Sequence, residues 1–112
     1  MGFGHRNNSK VEELQLLESG LQNFLMQRQA LQIEVNEIDN ALNELKNSDD
    51  EVYKMSSGIM IKSTKEKLTK ELEEKKKFLE SKMLSLGKQE EILEKNASTL
   101  KKEIAEEISE NE

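Results

Sequence analysis

The stretch Val52-Tyr53-Lys54-Met55-Ser56-Ser57-Gly58-Ile59-Met60-Ile61-Lys62 decides the fold, because here the chain leaves a helical rhythm. Two short runs of β-branched, aromatic and apolar residues flank Ser56-Ser57-Gly58, and Gly58 can take a positive φ, which predicts a β-hairpin. With a three-residue loop, Tyr53 faces Ile61 and Met55 faces Ile59, so those four side chains share one face. A two-residue loop at Ser57-Gly58 shifts the pairing. A lone two-stranded ribbon is marginal in water, so the hairpin is expected to join other strands through Val52, Tyr53, Met55, Ile59, Met60 and Ile61.

Outward from the ribbon the apolar period changes to that of a coiled coil. Steps of three and four from Leu14 land on Leu17, Leu21, Phe24, Arg28, Leu31, Val35, Ile38, Leu42 and Leu45, apolar throughout except Arg28. Ser9 and Glu12 form a capping box before this seam, and Asn47-Ser48-Asp49-Asp50 supplies side chains that compete with helix at its end. After the hairpin, Ser63-Thr64-Lys65-Glu66 reads as a second capping box. Leu72, Leu79, Leu86, Leu93 and Leu100 then recur every seven residues, beside a weaker position of Thr69, Lys76, Met83, Glu90, Ala97 and Ile104. Glu66, Glu71, Glu73 and Glu91 stand four residues before Lys70, Lys75, Lys77 and Lys95, an order that supports exposed helix faces. Two rods of roughly 55–60 Å, at about 1.5 Å per residue, joined by a tight ribbon must fold back on each other. The expected fold is mainly α: a long antiparallel two-helix coiled coil joined by a single β-hairpin that oligomerises with other strands. The boundaries are 1–8, a disordered N-terminus; 9–47, helix 1; 48–62, linker and hairpin; 63–110, helix 2; and 111–112, a tail.

Composition narrows the function. Of 112 residues, 36% are charged and only 34% apolar, with no Pro and no Cys, which suits exposed helices and leaves no thick core to enclose a pocket. No nucleophile-base set, glycine-rich phosphate loop or metal-ligand spacing is present, so neither enzyme activity nor cofactor is expected. The net charge of -6 opposes a phosphate-binding surface, and Lys75-Lys76-Lys77 reads as a solvated face. No run is long and apolar enough to span a membrane. His5, in a glycine-rich start, carries no expected role.

The order of elements, with Val52-Tyr53-Lys54 eight residues before Lys62 and Thr64-Lys65-Glu66 opening the second rod, resembles the beta-class subunits of prefoldin over about Ser9 to Ile108. One departure is Ser57, where family members usually carry Gly. The resemblance implies a cytoplasmic, ATP-independent co-chaperone of two alpha-class and four beta-class subunits. Its hairpins would form a double β-barrel, and its coiled-coil ends would hold unfolded polypeptide for a group II chaperonin, without nucleic acid or membrane. The matching client surface is Leu14, Leu16, Leu17, Leu21, Phe24 and Leu25 on the first helix and Leu93, Leu100, Ile104 and Ile108 on the second. Leu16, Leu25 and Met26 lie off the seam, either as surplus apolar surface or as a wider coil interface. Gly20 and Gly87, placed at similar height, either loosen the far end together or are tolerated separately. Arg28 either fixes register or snorkels outward. Glu106, Glu107 and Glu110, in an acidic tail from Glu103 to Glu112, are either a chaperonin contact or a solubilising end. The rival reading is a structural coiled-coil scaffold or tether without chaperone activity.

Overall fold

The computed structural model describes residues 2–49 and 51–110, with side chains of the first helix from residue 8. The order is α1 (Gly2–Lys46), β1 (Glu51–Ser56), β2 (Ile59–Thr64) and α2 (Lys65–Glu110). These residues group into two compact units, one of residues 2–28 with 85–110 and one of Gln29–Leu84.

The unit Gln29–Leu84 holds the main apolar core. Val35, Ile38 and Leu79 are buried there, with Leu31, Leu42, Leu72 and Met83 packed around them, and all seven sit on the two predicted seams. A stripe repeating every 3.5 residues keeps one line of each helix turned to the other, so the seam residues meet while their neighbours stay wet. Lys76, read as part of a solvated run, instead occupies its seam position half-buried and places Nζ 2.7 Å from Asp39 Oδ1. That hydrogen bond raises the Lys76 pKa above its ordinary value. The stabilisation from this pair is therefore present in full below the ordinary lysine value and is lost as pH rises through the raised value.

The first helix stops where the short polar residues compete for its backbone. Asn47 Nδ2 donates to the Asn43 carbonyl at 3.1 Å and Ser48 Oγ to that of Leu45 at 2.9 Å. Asp50, the last of the predicted stop residues, lies outside the described residues. From the start of α2, Lys65 Nζ donates to the carbonyls of Lys46 and Ser48, both at 3.1 Å. A cation there satisfies orphan acceptors and complements the negative end of the helix dipole. The helix starts differ from expectation. α1 runs back to Gly2, so Ser9 lies inside it and caps nothing; no Pro interrupts residues 2–8. α2 is capped by Thr64, whose Oγ1 accepts from Lys67 N–H at 3.1 Å, because Ser63 is held in the ribbon opposite Val52. Residues 1 and 111–112 lie outside the described residues.

The hairpin takes the two-residue loop. Ser56 pairs with Ile59, Met55 with Met60, Lys54 with Ile61 and Tyr53 with Lys62, while Ser57 and Gly58 have φ of 49° and 78°. Two successive left-handed residues are what a tight hairpin turn matched to strand twist requires. The register corrects the three-residue pairing and splits its apolar patch. Opposed residues share a face, so Tyr53, Met55 and Met60 stand on one side and Val52, Ile59 and Ile61 on the other. Both faces stay open: Met55, Ile59 and Met60 are 69%, 63% and 64% exposed.

The described ion pairs run between elements and not along them. None of the four predicted Glu–Lys helix pairs closes, and Glu71 turns instead to Lys54 at 3.0 Å; an exposed pair within one helix has only about 0.2–0.5 kcal/mol to hold it. The glycines also part company. In the unit of residues 2–28 and 85–110, a Cβ on Gly20 would come 3.3 Å from Leu93 Cδ1, whereas one on Gly87 would meet nothing. Arg28 lies level with Glu90, so Gly20 and Gly87 stand more than two turns apart along the paired helices and do not share a height.

Two stability predictions follow from these geometries. Gly87→Ala should raise stability by about 0.5–1 kcal/mol, the ordinary gain at an open helix position, while Gly20→Ala should gain less because Leu93 must yield; thermal unfolding of both variants checks this. Ser57→Asn should raise the melting temperature, since Asn accepts the left-handed conformation more readily than Ser.

Candidate binding end and assembly hairpin

The unit of residues 2–28 and 85–110 contains all ten residues of the predicted client surface. Its helices are antiparallel, as the ion pairs show: Lys10 meets Glu103 at 3.5 Å and also Glu107, Glu18 meets Lys101 at 3.8 Å, and Arg28 meets Glu90 at 3.0 Å. The hydrogen bond to Glu107 raises the Lys10 pKa above its usual value. Between these pairs runs a thinner apolar seam than in the other unit. Leu14, Leu17, Leu21, Phe24, Leu86, Leu93 and Ile104 are only half-buried, and the buried apolar residues are Ala97 and Leu100. Ala97 is small and Glu90 is charged, so the weaker heptad position of α2 contributes little packing here.

The ten predicted client residues therefore do not form one open surface. Leu14, Leu17, Leu21, Phe24, Leu93, Leu100 and Ile104 face inward along the seam. Leu25 lies at its edge, lining a groove of about 200 Å³ with Glu18, Leu21, Gln22, Arg28, Glu90 and Glu94. Leu16 and Ile108 are open, at 75% and 44% exposure, and so is Met26. Ile92 is equally exposed and escaped the sequence reading, as did Phe78, Leu84 and Ile33 in the other unit. For three of them the signal was present: Phe78, Leu84 and Ile92 each adjoin a seam residue, and a second apolar neighbour cannot enter the same seam. Of the acidic tail, Glu106 and Glu110 are exposed, whereas Glu107 is engaged with Lys10. Glu112 lies outside the described residues.

Arg28 does not merely snorkel. Its Nε lies beside the carboxylate of Glu90, a residue only 8% exposed, as an ion pair without an aligned hydrogen bond. Removing the cation strands a buried carboxylate, whereas replacing both groups by apolar ones removes the desolvation cost as well. Arg28→Met should cost about 1–2 kcal/mol, less than in a fully dry pair because the arginine is partly solvated. The double variant Arg28→Leu with Glu90→Leu should unfold at or above the parent temperature.

The hairpin places all six predicted assembly residues on one ribbon but on both of its faces. Lys54, on the Val52 side, reaches α2 through Glu71, so that side is turned toward the helices. Lys62, on the Tyr53 side, pairs weakly with Glu51 at 3.4 Å. Among the described residues no acidic or histidine cluster could hold a metal ion, and no helix is long and apolar enough to cross a membrane.

Comparison with known proteins gives these features a family. The family described as prefoldin subunit matches residues 8–111. Prefoldin subunit beta of Archaeoglobus fulgidus is 40% identical over 95 residues, covering 82% of each chain. That of Saccharolobus islandicus is 32% identical over 103 residues, covering 90% of this chain and 82% of the relative. The crystal structure of the prefoldin beta subunit from Thermococcus strain KS-1 superposes with a TM-score of 0.84 at 31% identity, over 88% of this chain and 89% of that one. Two long helices around a single exposed hairpin are thus shared in sequence and in structure, and the chain belongs to the prefoldin family as a beta-class subunit.

Proposed function

We propose that this chaperone subunit binds unfolded polypeptides at the end of its helix pair away from the hairpin and delivers them, without ATP, to a group II chaperonin. Its place is the cytoplasm, in a complex of two alpha-class and four beta-class subunits whose hairpins close into β-barrels. The observation that carries the reading is the contrast in what fills the two units. In the unit of residues 29–84 the buried positions are the apolar Val35, Ile38 and Leu79, with half-buried apolar neighbours. In the unit of residues 2–28 and 85–110 the charged Glu90 and the small Ala97 take buried seam positions beside Leu100, among half-buried leucines braced by ion pairs. Such a region opens at low cost, and Leu16, Met26, Ile92 and Ile108 already present apolar contacts without opening.

Contacts of this kind are weak and indifferent to sequence, which suits a protein that must hold many different clients and release them. Affinity then comes from several chains acting on one client, since linked weak sites gain by effective concentration. Seam residues Leu14, Leu17, Leu21, Phe24, Leu93, Leu100 and Ile104 join the surface when the helices part, with Leu25 at their margin. Glu106 and Glu110 are the carboxylates available for a basic chaperonin surface, with Glu107 added once it leaves Lys10.

The test is dilution of a chemically unfolded reporter protein, followed by light scattering, with this chain assembled with an alpha-class partner and its mass verified. The assembly should suppress aggregation, and Leu16→Gln with Met26→Gln and Ile92→Gln should weaken suppression severalfold at unchanged mass. An intact assembly inert toward several reporters would reduce the chain to a coiled-coil scaffold.

A further inference from the structure

In the unit of residues 2–28 and 85–110, the groove of about 200 Å³ beside Leu25 combines two apolar side chains, Leu21 and Leu25, with the carboxylates of Glu18, Glu90 and Glu94, the amide of Gln22 and a single cation, Arg28. Arg28 is engaged by Glu90 at 3.0 Å. Glu18 has only Lys101, at 3.8 Å between two exposed side chains, a pair of little strength. Glu94 is exposed and takes part in no ion pair among the described residues. The groove therefore offers apolar contact together with negative charge that its own cations leave under-neutralised. Its volume suits one long side chain, since clefts for drug-sized ligands begin at roughly 300 Å³.

We propose that the groove takes a lysine or arginine side chain of an unfolded client, its methylene stem along Leu21 and Leu25 and its charged head between Glu18 and Glu94. The proposal rests on the client-binding reading given above and names the segments of a client that are preferred. Long cationic side chains are the ones that bury an apolar stem while keeping the head among polar groups. The other occupants are disfavoured by the same rim: an apolar side chain would strip water from the carboxylates and pair with none of them, and an acidic one would meet charge of its own sign. The surroundings extend the preference to a short pattern. Met26, 60% exposed, stands one helical turn beyond Gln22, about 5.4 Å along the same face of α1. In an extended client, side chains two residues apart share a face and lie about 6.6 Å from each other, so an apolar residue two places from the cation reaches Met26. The favoured client segment is thus a basic residue with an apolar one two places away, and an acidic residue in the basic position excludes it.

The experiment measures binding of three fluorescent peptides, identical and apolar except for a central lysine, acetyl-lysine or glutamate, to the chain assembled with an alpha-class partner, by fluorescence anisotropy at verified mass. Acetyl-lysine keeps the stem and removes the charge. The lysine peptide should bind severalfold tighter than the acetyl-lysine peptide and the glutamate peptide weakest, with the spread narrowing as salt screens the partly exposed rim. Glu18→Gln with Glu94→Gln should erase the lysine preference while the acetyl-lysine peptide binds as to the parent, and Glu94→Lys should shift the preference toward glutamate. Glu12→Gln with Glu13→Gln removes the same charge from exposed positions of α1 outside the groove and should leave the preference in place. Equal affinity for the three peptides overturns the proposal, and so does a preference lost equally with Glu12 and Glu13, which would assign it to the net charge of -6. Failure of every peptide to bind an assembly that still suppresses aggregation also overturns it, and the client-binding reading survives all three results. An assembly that neither binds the peptides nor suppresses aggregation overturns that reading itself.

Discussion

Everything in this molecule depends on a single line of contact. Two helices have no interior beyond the strip along which they touch, so each residue on that strip carries more of the stability than a residue in a layered domain does. Around Val35, Ile38 and Leu79 the strip is dry and well filled. Around Glu90, Ala97 and Gly20 it is interrupted by a charge, a small side chain and a missing one. The two units therefore differ in which side chains fill their heptad positions.

The ion pairs take their place in the same arrangement. Where apolar residues are scarce, charged side chains of opposite sign reach across from the neighbouring positions, as Lys10 does to two glutamates one turn apart. Such contacts fix which residues face each other but add little net stability once desolvation is counted. They keep the antiparallel register true while leaving the helices easy to separate. Firm packing would hide the leucines permanently, and the absence of any pairing would let the helices slide.

Much of this was legible in the sequence, because periodicity is a statement about geometry. Every apolar position of the first seam, Leu14 to Leu45, is half-buried or buried, as a 3.5-residue repeat demands. What escaped was set by choices among near-equal local energies. Ser56-Ser57-Gly58 permits loops of two or three residues, and one residue of slip moved Ile59 and Ile61 to the other face. Ser63 and Thr64 are both good caps, and pairing in the ribbon claimed the first of them. Gly20 and Gly87 look alike in sequence, yet only one touches the opposite helix, a fact that depends on the stagger of the two rods.

The ammonium of Lys65 ties the outgoing helix to the incoming one at two carbonyls beneath the ribbon. The reversal of the chain is thus clasped below the strands as well as by their pairing. A clasp at the neck makes the ribbon a detachable head: its residues can diverge to suit new neighbours while the stalk keeps its alignment. Such a joint lets the dozen residues of the two strands change without retuning the rods beneath them.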